Sequence, residues 1–160
     1  MKAVSVKEIK TELKYKSNDE LIELCLRLSK FKKENKELLT YLLFEAENED
    51  TYITTVCSEI DEQFELINTK TYYFIKKSVR KILRATKKYI RYSKNKETEI
   101  ALILHFCKKL KEMSPSIYNN SVLENIFNRE LISITKKTTF LHEDLQHDYS
   151  IEIKKLRNKT

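Results

Sequence analysis

The chain has 160 residues with 41% hydrophobic and 34% charged side chains, a formal net charge of +7, one proline (Pro115) and no glycine. Glycine supplies positive φ angles at tight hairpin turns and lets the backbone approach bound phosphates, so its absence excludes most β-rich folds and most nucleotide-binding loops together. The length suits one domain with an ordinary core, about 70% of the unfolded surface being buried at that size.

In chain order, the pattern in which a Ser caps a first turn and a Glu three residues later reaches back predicts helix starts at Ser5 with Glu8, at Ser17 with Glu20, and at Ser121 with Glu124. Apolar residues recur at helical spacing at Leu21, Cys25, Leu28 and Phe31, at Ile53, Cys57, Ile60, Phe64 and Ile67, and at Ile100, Ile103, Cys107 and Leu110. The run Leu38-Leu39-Thr40-Tyr41-Leu42-Leu43-Phe44 is apolar almost all round, which predicts a central helix. Helices are expected near 5–15, 18–31, 35–47, 51–67, 70–94, 96–113, 121–136 and 139–157. The expected architecture is all-α, an irregular helical bundle or short α-solenoid of seven to eight helices. It forms a single helical domain over 1–160, with a sub-division near 114–120 where Ser114-Pro115 stops one helix and Asn119-Asn120 precede the next.

Three widely spaced cysteines, Cys25, Cys57 and Cys107, each among apolar residues, read as buried free thiols of a reducing compartment rather than a disulfide or zinc framework. The N-terminal residues lack the apolar run of a signal peptide, and no stretch approaches the roughly 20 apolar residues of a membrane span. A cytoplasmic protein with no membrane partner is expected.

Charge is segregated along the sequence. From Leu38 to Thr69 there are eight acids and no Lys or Arg; from Lys70 to Lys96 there are eleven bases and no acid. At 100° per residue, Ile75, Val79, Ile82, Thr86, Tyr89 and Ser93 lie along one side of a helix, while all nine bases from Lys76 to Lys94 fall within an arc of roughly 140° on the other. The candidate binding residues are Tyr73, Lys76, Lys77, Arg80, Lys81, Arg84, Lys87, Lys88 and Arg91. The cations would offer hydrogen bonds and charge to phosphates, and Tyr73, which falls among them, would stack on a base. Against this stands the acidic helix 51–67, joined by a short connection, which is expected to lie antiparallel and neutralise part of the stripe.

Catalytic and metal motifs are wanting. His142 and His147 are five residues apart, about 140° around a helix, rather than the four that share a face in a zinc-protease helix, and no third ligand is evident. His105 and Cys107 diverge by about 160° on a helix, which leaves His105 as a core-edge residue. Adjacent acids such as Asp61 with Glu62 point apart.

The runs Lys10-Thr11-Glu12-Leu13-Lys14, Leu24-Cys25-Leu26-Arg27-Leu28, Phe31-Lys32-Lys33-Glu34-Asn35-Lys36-Glu37-Leu38-Leu39, Lys88-Tyr89-Ile90-Arg91-Tyr92-Ser93 and Leu141-His142-Glu143-Asp144-Leu145 resemble an uncharacterised family of small all-helical bacterial proteins of unknown function. The resemblance spans most of the chain and implies a bacterial, cytoplasmic helical domain, with no activity and no site residue attached. The functional expectation is therefore a non-catalytic helical interaction module without a cofactor, a protein-protein adaptor or scaffold. Low-specificity nucleic-acid or polyanion binding through helix 70–94 is the alternative.

Overall fold

A computed structural model describes residues 2–158, and these residues form eight α-helices and no strand. The chain divides into two compact units, Met1–Phe44 and Glu45–Thr160. The joint expected near 114–120 falls inside the second of them.

The N-terminal unit holds α1 (Val6–Leu13), α2 (Asn18–Phe31) and α3 (Lys33–Thr40). Both N-terminal capping boxes form as the sequence predicts: Ser5 Oγ accepts the Glu8 amide at 3.3 Å while Glu8 Oε2 accepts the Ser5 amide at 2.8 Å, and Ser17 with Glu20 repeats the pattern. These bonds pull the Glu8 and Glu20 carboxyls below their ordinary range. None of the three helices buries a residue.

The expectation that the helix around 38–44 is central is overturned. After α3 the chain continues as a π-helical turn, Tyr41–Glu45, in which Tyr41 is buried but Leu42, Leu43 and Phe44 remain 56%, 64% and 76% exposed. A segment that is apolar all round needs neighbours on every side to become a core helix, and in this unit α3 packs chiefly against α2. Cys25, expected to be buried, is exposed for the same reason.

The second unit holds α4 (Glu49–Glu65), α5 (Tyr72–Ser93), α6 (Lys96–Glu112), a 3-10 turn (Ile117–Asn119), α7 (Ser121–Thr138) and α8 (Glu143–Arg157). Its centre is α6, which buries Ile100, Leu102, Ile103, Leu104, Phe106, Cys107 and Leu110 with Thr98 and packs against α4, α5, α7 and α8. One helix with four others packed against it is consistent with the expected helical bundle. Phe106 is fully buried and meets the Phe64 ring of α4 at 5.6 Å between centroids.

Several helix ends differ from the expected ones by a few residues. The cap of α7 is Asn120, not Ser121, because its amide oxygen accepts the Leu123 N–H. Helix α7 then runs on to Thr138, and α8 begins only at Glu143, where His142 Nδ1 accepts the Asp144 amide at 3.5 Å. Helix α5 closes with Lys94 in the left-handed conformation at φ 56°, a position other proteins usually give to glycine. Lys94 donates its amide to the Ile90 carbonyl at 3.0 Å. No helix among the described residues is long and apolar enough to cross a membrane.

Truncating the side chain at the heart of the bundle should be costly. Phe106→Ala is expected to lower unfolding free energy by about 3–5 kcal/mol, read as a fall in the urea midpoint with little change in slope.

Candidate functional site

Helix α5 carries a hydrophobic and a cationic side because its sequence alternates them at the helical period. Ile75, Val79, Ile82, Leu83, Thr86, Ile90 and Tyr92 are buried, and the buried Thr86 hydroxyl is satisfied by the Ile82 carbonyl at 3.0 Å. At 1.5 Å per residue the 22-residue helix is about 33 Å long.

The acidic helix leaves most of the stripe without a carboxylate partner. Helix α4 lies antiparallel to α5, and hydroxyl groups help to join the two. Tyr52 donates to the Tyr89 carbonyl at 3.0 Å, the Tyr89 hydroxyl donates to Glu59 at 2.7 Å and Ser93 donates to Glu49 at 2.9 Å. Asp61 turns instead to α6, where it meets His105 Nε2 at 2.7 Å and Lys109 Nζ at 3.4 Å. The reason is geometric: α4 packs on the side of α5 that carries the core, and the cations lie across the helix from it. Among the described residues, no carboxylate lies within ion-pair distance of Lys76, Lys77, Arg80, Lys81, Arg84 or Arg91.

The stripe opens instead onto a cleft of about 800 Å³ between α5 and α7. Both helices pack on α6. At one end of the cleft the Tyr72 hydroxyl donates to the Ser116 carbonyl, 3.0 Å away in the loop before α7. Further along, Lys87 of α5 reaches Glu130 of α7 at 2.8 Å. Between these ties Lys76, Lys77, Arg80 and Arg84 line one wall; Val122, Asn125 and Arg129 line the other, and the buried Leu83 and Ile126 are apolar residues at its base.

Of the nine candidate residues, Tyr73, Lys76, Lys77, Arg80, Arg84 and Lys87 are brought together here. Lys81, Lys88 and Arg91 are not; Lys88 lies over the Tyr89 ring at 4.9 Å. The sequence reading missed Arg129, the sixth cation lining the cleft, and Glu130, a buried carboxylate behind the lining that pairs with two of those cations. Glu130 is 3% exposed and accepts from both Lys87 and the Arg129 guanidinium, at 2.9 and 3.0 Å to one oxygen. It holds two cations in place on opposite walls. A signal for it existed: Glu130 stands seven residues after Leu123 and four before Ile134, at an apolar register position of α7 where a buried acid needs cationic partners.

His105, Asp61 and Lys109 form a half-exposed ion-pair group joining α4 to α6. Cys57, one turn before Asp61, is no nucleophile for it, since burial first and the Asp61 carboxylate second push its thiol up to about 11. Burial likewise raises Cys107 well above the ordinary thiol range. Neutral thiols alkylate slowly, so iodoacetamide at pH 8 is expected to modify the exposed Cys25 alone in the native protein, and Cys57 and Cys107 only after denaturation. Mass mapping of the carbamidomethylated peptides checks this.

No family model matches the chain, and no curated protein or solved structure matches it.

Proposed function

We propose that this chain is a non-catalytic helical binding module whose second unit grips a phosphate-rich polymer, a nucleic acid, in the cleft between α5 and α7. The carrying observation is the convergence of six cations from two helices on one concave surface, with a single buried carboxylate that is already shared by Lys87 and Arg129. Lysine and arginine present charge-assisted hydrogen bonds to phosphate oxygens, and displaced counterions make such binding entropically favourable at low salt. No base-reading arrangement is needed for this low-specificity role. The proposed setting is the bacterial cytoplasm that the family resemblance implies, in keeping with three unpaired thiols.

Binding of a fluorescein-labelled 20-nucleotide DNA of mixed sequence tests the reading. With five or six phosphate contacts, log K should fall against log salt with a slope of about −3 to −5. Arg80→Glu with Arg84→Glu should weaken binding at least 100-fold at unchanged helicity. Lys81→Glu with Arg91→Glu, on the same stripe but outside the cleft, should cost about tenfold or less. Salt-independent binding, or equal losses in both double variants, refutes the cleft as the site.

A second role, protein association, is supported by the N-terminal unit, and the occupant we propose is a second copy of this chain. Its helices bury no residue while Val6, Leu24, Leu28 and Phe31 stay exposed, and units near this size usually reach stability by association. Leu21, Leu24, Leu28 and Phe31 on α2 also follow the three-four spacing by which helices pair. Sedimentation equilibrium should give twice the 19.2 kDa chain mass, reverting to one chain in Leu24→Glu with Leu28→Glu. A wild-type chain that stays monomeric at 100 μM ends this reading.

A further inference from the structure

We infer that the cleft takes a single strand in preference to a duplex, with one base stacked on Tyr73; this rests on the nucleic-acid reading above. Duplex readers insert a projecting helix into a major groove about 12 Å wide. Helix α5 does not stand clear of the fold: α4 and α6 pack on its core side, and α7 stands beside its cationic side across the cleft. Its cations open sideways into a cleft whose other wall is α7, with Arg129 facing them. The Tyr72–Ser116 and Lys87–Glu130 contacts tie the two sides of the cleft together, which opposes its widening around a double helix. A single strand is slimmer and has unpaired bases, so it can place phosphates against the cations and bases toward the apolar surface of Leu83 and Ile126.

Tyr73 supplies the second, independent observation. It lines the same cleft yet is 66% exposed, and its ring makes a T-shaped contact with Phe74 at 5.4 Å, 75° between planes. The 66% exposure leaves much of the ring open to solvent, which stacking on a base requires. Duplex bases are already stacked on one another and offer no face to it. From Tyr73 to Lys87 is 14 residues, about 21 Å along the axis, the length of about six stacked nucleotides at 3.4 Å each. This falls in the range that single-strand binders cover per site.

The test measures fluorescence anisotropy of the full chain with labelled 12-mers of oligo(dT) and oligo(rU) and with a 12-base-pair blunt duplex, at 50 mM salt. The single strands should bind at least tenfold tighter than the duplex, and the ratio of the two single-strand affinities names the preferred sugar. Tyr73→Leu should weaken single-strand binding about tenfold, leaving the salt slope and duplex binding unchanged, while Tyr73→Phe restores it. Circular dichroism confirms that each variant keeps its helicity, as expected for so exposed a side chain. Equal or tighter duplex binding, or a Tyr73→Leu variant that binds like wild type, overturns the single-strand inference but leaves the polyanion reading intact. Failure of every oligonucleotide to bind overturns both.

Discussion

The second unit depends on the burial of α6 from all sides. A helix that is apolar around most of its circumference has no stable place at a surface, and α6 meets the requirement by accepting α4, α5, α7 and α8 as neighbours. That arrangement fixes where the cations can go. Helix α5 must turn Ile75, Val79, Ile82 and Thr86 inward, so its bases face outward by default. With α7 lying on the same central helix, the outward flank of α5 becomes one wall of a cleft. The charged surface is thus a by-product of how the core is filled, and its concavity comes from α6 carrying both walls.

Much of this was legible in the sequence. The two N-terminal capping boxes, the two-sided character of α5 and the all-helical class each depend on residues within a turn or two of one another, where the rules are local. Placement was not. The run Leu38–Phe44 and the run Ile100–Cys107 both look like central helices when read alone, yet only the second is central. The difference lies in their neighbours: α6 belongs to a unit with four other helices to cover it, and the first run to a unit with three short ones. No pattern inside either run encodes that count.

The misreading of the acidic helix has a similar cause. Opposite charges in consecutive helices suggest pairing, but two helices share the seam on which their apolar faces meet, and a stripe on the far side of α5 is out of reach from there. Glu59 and Glu49 therefore take hydroxyl donors, and Asp61 takes His105 and Lys109 of α6. Arg129 escaped notice because it has no base beside it and lies more than thirty residues from the stripe it joins. Its neighbour Glu130 was the readable sign, an acid at a register position that otherwise holds Leu, Ile and Phe.

The uncancelled stripe also has an energetic consequence. Like charges three or four residues apart on a helix destabilise it by about 0.2–0.5 kcal/mol a pair, and α5 contains a chain of them: Lys76 with Arg80, Arg80 with Arg84, Arg84 with Lys87 and with Lys88. A surface required only for solubility would intersperse acids, which relieves this repulsion at no cost to solubility. Helix α5 has no acid at all and is held by its seven buried residues instead. Glu130 relieves two cations at the Lys87 end and none at the Tyr73 end. The fold therefore spends core burial to keep Lys76, Lys77, Arg80 and Arg84 together and unpaired, an arrangement whose repulsion falls when an anion enters between them.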